Sequence, residues 1–469
     1  NPPPFILVAN ALQNTGLGLV RLSCTGAATP AFTTDVNNLP RACLGQAPPA
    51  PGAAGTAGIN VNDPNFKYPQ TFIVSGGFDR QLPMGVVGTV EGLYHKAING
   101  IRIRDLNLAS PRMVNGQVLT DVNGRVLYAD TILASGAVPS TGTNSRNGRS
   151  VVAVNGTNFN EGAIFVTNQS KDYNYALTGQ LKKQFSTGLS VAGAYTFNRA
   201  YEIQALTSDR AISNWRFGRE YSGLESSDDL STSSFERRHR LVAYGSYTIP
   251  FWKKKAPTDI SFYYERASGS PVTYVTNQDL NGDGFSGNDP IYVPTSALDP
   301  SQVMIGSYNT ATRTFTQDTP AAQAFEDFIA GQPCLAAQRG RIMQRNSCFN
   351  PWSNRFDMSI RQGLPVVRGQ RLSAQLDIIN AANAIGRVLQ HIDGKDRNWG
   401  TFANSTLSSF TQQSVLAGNT ASGSSARTAG GIATSTPVYT FNSTVRTRGP
   451  FDFQNNLGYL MQVTLRYAF

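Results

Sequence analysis

No uninterrupted apolar run of about 18 residues occurs in the sequence, which excludes helical membrane spans. Charge is scarce: Asp, Glu, Lys and Arg make up 15% of the 469 residues, against about 25% in an average soluble domain. Apolar residues reach only 40%. Neither disorder nor a coiled coil follows, because a disordered chain combines high charge with few aromatics, and aromatics here are 10%. Histidine is nearly missing. His95, His239 and His391 lie far apart, without HExxH or paired-carboxylate spacing, and no Walker loop, GxGxxG or GxSxG occurs. No catalytic residue is expected, and the protein is read as a non-enzyme. Cysteine is limited to Cys24, Cys43, Cys334 and Cys348, with no CxxC spacing. Two sequence-local pairs argue against zinc and for two disulfides, Cys24–Cys43 and Cys334–Cys348, each stapling a loop in an oxidising compartment.

Gly, Asn, Ser, Thr and Gln fill the balance, with 18 Tyr and 25 Phe. This composition points to β structure, either secreted or in an outer membrane. The net charge is +10, but the cations are scattered. Their densest cluster, Lys253-Lys254-Lys255, reads as a turn without an aromatic platform, so no nucleic-acid partner is expected.

Alternation of period two dominates. In the last residues Leu457, Tyr459, Met461, Val463, Leu465, Tyr467 and Phe469 fall on one face, and Gln462, Thr464 and Arg466 on the other. Phe356, Met358 and Ile360 alternate with Arg355, Asp357, Ser359 and Arg361. Leu372, Ala374, Leu376 and Ile378 alternate with Ser373, Gln375 and Asp377. Val86, Val90, Tyr94 and Ile98 oppose Thr89, Glu91 and His95. A large secreted sandwich or β-helix would also alternate. Long strands with an uncharged face, and Tyr, Phe and Trp near their ends, favour a transmembrane barrel.

Nine strands are expected, at 71–79, 84–103, 173–185, 188–200, 237–250, 257–269, 353–363, 369–382 and 457–469. Short links alternate with long ones at 104–172, 201–236, 270–352 and 383–456. Short periplasmic turns and long extracellular loops are the barrel pattern, which a sandwich has no reason to keep. Bacterial single-chain barrels have even strand numbers. Nine is odd, and the sequence opens at Asn1 without a leader pattern. The expectation is a portion of a longer chain, unless a further strand lies within Val438–Thr447. Residues 1–70 read as an extracellular loop region and 71–469 as the C-terminal portion of the barrel. The Ser-, Thr-, Ala- and Gly-rich stretch 401–435 reads as a mobile extracellular loop.

Several segments carry a family likeness: Asp63-Pro64-Asn65-Phe66-Lys67-Tyr68-Pro69-Gln70 with Leu82–Glu91, Ser213-Asn214-Trp215-Arg216-Phe217, Arg237-Arg238-His239-Arg240, Asp279–Gly284 with Asn288–Pro294, Arg345-Asn346 with Pro351-Trp352, and the terminal Phe469. From residue 20 to the end the chain resembles the C-terminal barrel portion of TonB-dependent outer-membrane receptors, nearest the Oar-like type, whose N-terminus usually carries a carboxypeptidase-regulatory-like domain. The resemblance implies an energised receptor in the outer membrane of a Gram-negative-type bacterium. Its loops would capture an extracellular substrate, and the TonB complex would act through an N-terminal plug. That plug, a TonB box and earlier strands are not visible in this sequence. Phe469 would be the C-terminal signal read by the barrel assembly machinery. Arg355, Asp357, Arg361, Asp377 and Arg466 would face the lumen, to support the plug or line the path. The basic cluster at Arg237–Arg240 would neutralise lipopolysaccharide phosphates or simply solvate a rim. A passive porin and a surface adhesin are the alternatives.

One loop carries separate chemistry. Asp279, Asn281 and Asp283, followed by Gly284, match the first half of an EF-hand-type calcium loop, with the Phe285 carbonyl as the next ligand. Position twelve is Pro290 instead of Glu, and Asp289 stands one residue early. The same residues equally suit an Asx-turn without metal.

Overall fold

The computed structural model describes residues 24–31, 42–47, 59–128, 162–251, 256–365, 370–395, 412–418, 425–429, 432–436, 438–442 and 458–468, apart from isolated positions within them. Nine long strands form its frame: β1 (Thr71–Leu82), β2 (Val86–Ala97), β3 (Tyr173–Gln184), β4 (Leu189–Glu202), β5 (His239–Phe251), β6 (Ala256–Ala267), β7 (Ser353–Leu364), β8 (Arg371–Ile379) and β9 (Leu460–Ala468). They pair in sequence order along one antiparallel path from β1 to β9.

The register aligns the alternation of every strand. Across β1 to β5, Phe78 lies beside Val90, Val90 beside Gly179, Gly179 beside Tyr195, and Tyr195 beside Leu241. Across β6 to β9, Tyr264 lies beside Phe356, and Ile360 beside Leu376, which neighbours Val463. These residues share one face, and it is open: Phe78 is 65% exposed, Leu177 55%, Leu465 69% and Val463 77%. A contiguous apolar patch of this extent would drive aggregation in water. Against hydrocarbon it is the ordinary outer wall of a barrel, whose paired strands leave no backbone polar group in lipid. Tyr459 is exposed beside this face, and Phe356 and Leu376 lie on it by register. Near one end Tyr94, Tyr173 and Tyr201 form a ladder, with Lys96 over the Tyr173 ring.

The connections explain which end is which. Pro83–Gly85 closes the first hairpin, where Met84 and Gly85 take φ of 62° and 71°. Gly188, at φ 88°, serves the turn between β3 and β4. The described parts of 98–172, 203–238, 268–352 and 380–459 leave the opposite end. They build a folded cap. A six-stranded sheet runs 314–317, 304–309, 438–441, 412–418, 271–276 and 348–349. Helices α1 (Ala211–Phe217), α2 (Thr319–Ala330), α3 (Pro333–Ala336) and α4 (Ala381–Asp393) accompany the cap. Asp318 caps α2 by accepting from the Ala321 N–H at 3.0 Å. Val272, Ile305, Phe325, Ile329, Leu335 and Val415 are fully buried between this sheet and α2 and α3. A three-stranded sheet joins 59–62, 163–169 and 100–105.

Four expectations change. The strand expected over 84–103 ends at Ala97, where the backbone N–H groups of Ala97 and Ile98 turn to the carbonyls of Asp172 and Gln70. Gly100–Asp105 then starts a separate strand in the three-stranded sheet. The stretch 401–435 is not wholly loop: Gln412–Gly418 pairs in parallel with Pro271–Thr276, burying Val415 and Leu416. Val438–Phe441 is a strand, but it belongs to the cap sheet. The strand expected over 369–382 ends at Ile379, because Asn380 turns to φ 58° and opens α4.

Candidate functional site

The 279–289 segment folds as a compact buried loop at the base of the cap. Gly282 and Gly284, at φ 78° and 93°, bend it so that their N–H groups donate to the two Asp279 oxygens at 2.7 and 2.8 Å. The Asp283 N–H donates to Asn281 Oδ1 at 2.9 Å, and the Phe285 N–H to Asp283 Oδ1 at 2.8 Å. Asp283 Oδ2 accepts from the Tyr221 hydroxyl at 2.6 Å and from Asn288 Nδ2 at 2.7 Å. Phe285 anchors the loop edge-on against Trp215 at 4.6 Å, in a small core with Ile103 and Ile164.

Charge is the unusual feature of this loop. Asp283 and Asp289 are wholly buried and Asp279 nearly so. Burial, reinforced by the charges of Asp283 and Asp289, holds the Asp279 carboxyl well above the usual range. Burial likewise raises Asp283, and pushes Asp289 up to about 7 against the opposing pull of Arg125. Asp289 is drawn away from the cluster: its Oδ1 accepts from Arg125 Nη1 at 3.0 Å and its Oδ2 from the Leu280 N–H at 2.8 Å. The structure thus gives Asp289 an ion pair in place of the ligand role considered for it. Among the described residues no three His, Cys, Asp or Glu side chains converge as a metal-binding group.

Tyr221 links this loop to a cavity of about 550 Å³ whose wall includes Tyr201, Arg219, Glu220, Asp229 and Arg345. The Arg345 side chain is buried, and its guanidinium meets Glu220, Glu202, Ile203 and Gly218. Nε lies 3.0 Å from Glu220, Nη2 3.2 Å from Glu202, and Nη1 donates to the Ile203 carbonyl at 2.7 Å. Arg219 donates to the Glu225 carbonyl at 2.8 Å, which also accepts from Arg102 at 2.7 Å. Burial, then the neighbouring charges of Arg102 and Arg345, lowers Arg219 to about 10. The cavity wall therefore carries fixed, paired charges that need no reorganisation to meet a polar ligand.

The remaining candidates are distributed. Cys334 and Cys348 are joined with Cα atoms 5.4 Å apart, tying α3 to strand 348–349. Cys24 and Cys43 are joined with Cα atoms 5.5 Å apart. Arg355, Asp357, Arg361, Asp377 and Arg466 lie on the face opposite the apolar one. Arg355 and Asp357 are ion-paired at 2.6 Å, and the second Asp357 oxygen accepts from the Asn380 N–H at 2.9 Å. His239 stacks between Tyr195 and Trp352 at the cap end of β5. Phe469 and Lys253–Lys255 lie outside the described residues. Sequence reasoning missed Arg102, Arg125, Arg219 and Glu220. Apart from contacts within 219–229 and the Arg125–Asp121 pair at 3.8 Å, their main side-chain partners are about a hundred or more residues away.

The nine-strand sheet with its exposed apolar face, a polar opposite face and a one-sided cap defines an outer-membrane β-barrel protein. The chain belongs to the family described as outer membrane beta barrel domain, whose model matches residues 1–386. No curated protein and no solved structure matches the chain significantly.

Proposed function

We propose that this chain forms barrel wall and cap of a TonB-dependent, Oar-like transport receptor, moving a substrate across the outer membrane under energy supplied from the inner membrane. The observation that carries the reading is the position of the cavity. Pro290 and Arg345, from the family-like segments 288–294 and 345–346, line it beside Tyr201 and Glu220 in the cap. Those segments are far apart in sequence, and the fold gathers them around one polar hollow. Substrate bound there would lie at the cap end of the polar face that carries Arg240, Glu265, Arg355 and Asp357. A plug held against that face would block passage until TonB displaced it. Among the described residues the outer edges of β1 and β9 have no partner strand, and further strands pairing there would close the wall. The chain's part is binding and passage, with no bond-making step assigned to any residue.

The test is transport in cells producing the full receptor, with and without the TonB complex. Radiolabelled uptake or export that collapses without TonB, while surface binding persists, supports the reading. Transport unchanged without TonB sinks it and leaves a passive porin. Surface binding with no transport in either strain leaves an adhesin.

A further inference from the structure

We infer that the cap end of the outward face binds the phosphate groups of outer-leaflet lipid of the lipopolysaccharide type, through Arg266, through Lys96 with Lys171, and through Arg199. The inference concerns the lipid around the wall, so it stands apart from the transport reading.

The first observation is where charge stands on the wall. The register sets Phe78, Val90, Gly179, Tyr195, Leu241 and Arg266 side by side, so Arg266 shares the apolar face. The same parity puts Lys96 beside Phe72 and Tyr173, and Arg199 beside Tyr175. Followed along all nine strands, this parity places no Asp or Glu at an outward position. Lys96, Arg199 and Arg266 each lie within three residues of the cap end of their strand, at Ala97, Glu202 and Ala267. The outward rim is therefore positive, on a wall that supplies no carboxylate.

The second observation is how these cations are held. Inward cations are neutralised in place: Arg240 meets Glu265 at 2.9 Å and Arg355 meets Asp357 at 2.6 Å. The outward ones lie over rings instead. Lys96 Nζ is 5.7 Å from the Tyr173 centroid, and the guanidinium carbons of Arg199 and Arg266 are 5.0 and 5.3 Å from those of Tyr201 and Trp352. A ring face attracts a cation without discharging it, and Tyr and Trp are enriched at headgroup level. Among the described residues Lys96, Lys171 and Arg266 have no carboxylate partner. Lys96 donates to the Lys171 carbonyl at 2.9 Å, which brings the two lysines together. Glu236 serves both Arg199, at 3.4 Å, and Arg238, at 2.9 Å, so one positive charge of that trio is unmatched.

A phosphate at the membrane surface answers both features. It supplies the missing negative charge, and its oxygens accept from guanidinium and ammonium groups. Long Lys and Arg stems lie along apolar surface while their heads reach that level. Four strand steps separate β2 from β6, roughly 19 Å, so the rim offers room for more than one phosphate. Within Arg237–Arg240, by contrast, Arg240 turns inward to Glu265 and Arg238 is bound to Glu236. The lipid contacts thus fall on neighbouring strands.

Native mass spectrometry of the folded chain in zwitterionic detergent tests this, with bis-phosphorylated lipid A and the same lipid stripped of phosphate as probes. The phosphorylated lipid should bind saturably, about tenfold or more tighter than the stripped one, and less tightly as salt rises. Lys96→Gln with Arg266→Gln should weaken it about tenfold or more, at about fivefold per cation. Lys183→Gln, on the same face at the turn end of β3, should leave it unchanged. Equal binding of the two lipids, or an equal loss in Lys183→Gln, overturns the inference. Displacement of the lipid by millimolar inorganic phosphate would mark a soluble-anion site and overturn it too. Should the double variant not fold, Arg266→Gln alone should lose about fivefold, and no loss there is equally fatal.

Discussion

Arg345 and Glu220 meet as a buried ion pair at 3.0 Å, with side chains 7% and 2% exposed. They come from different excursions, one after β6 and the other after β4. The pair therefore pins two segments of the cap that share no covalent neighbour. A buried pair is costly to break from one side, because the surviving charge stays in a low dielectric. Arg345→Ala should destabilise the cap by about 3–5 kcal/mol. The fluorescence of Trp215, which is buried nearby in the same cap, reports this in a denaturant titration. A midpoint within error of the parent chain would show that the pair holds nothing.

The Cys334–Cys348 bridge closes a segment of 14 residues and places Cys348 in the main cap core. Replacing both cysteines by serine should cost about 2–4 kcal/mol of cap stability. The barrel strands should keep their detergent resistance, since the bridge touches none of them. Heat-dependent gel mobility separates these two outcomes.

The two faces of β9 should tolerate charge differently. Val463 is 77% exposed on the apolar face, and its neighbour Gln462 points the other way. Val463→Arg should cost about 2–4 kcal/mol in a bilayer, whereas Gln462→Arg should cost little. Unfolding from lipid vesicles by urea measures both. Equal costs would overturn the assignment of the faces.

Alkaline conditions should loosen the cap through Tyr274. Burial holds its phenol proton up to about 12, while an unfolded tyrosine releases it near pH 10. Between those values the unfolded chain has lost a proton that the folded one keeps, so stability falls as pH rises from about 10 towards 12. Below pH 10 this group adds no slope. Phenolate absorbance during alkaline titration should show several late-ionising tyrosines, Tyr128 and Tyr221 among them, and Tyr274→Phe should remove one.

The nine wall strands were legible because lipid imposes one rule on every strand: the outward residues must be apolar. Val86, Val90 and Tyr94, or Leu465 and Tyr467, therefore announce their own face. The cap obeys no such rule. Its strands are two to seven residues long, and pairings such as Thr273 with Gln412 span long stretches of chain. Composition misled at 412–418, where a Ser- and Gln-rich run completes a buried sheet through its backbone and only Val415 and Leu416 declare the burial. The Asp279–Gly284 turn was visible locally, because its hydrogen bonds close within a few residues. Its neighbour Arg125 lies 164 residues from Asp289, and its one local pair, with Asp121, points to neither the loop nor the burial.

Residues 412–418 and 438–441 lie between β8 and β9, yet they fill places in a sheet begun between β6 and β7. The roof over one hairpin is thus finished by the handle of the next. Pairings this distant in sequence form late, since long loops must close first. During biogenesis the cap sheet can lock only after the excursion between β8 and β9 has joined the one between β6 and β7 at the cell surface, so the later hairpin acts as the latch of this sheet.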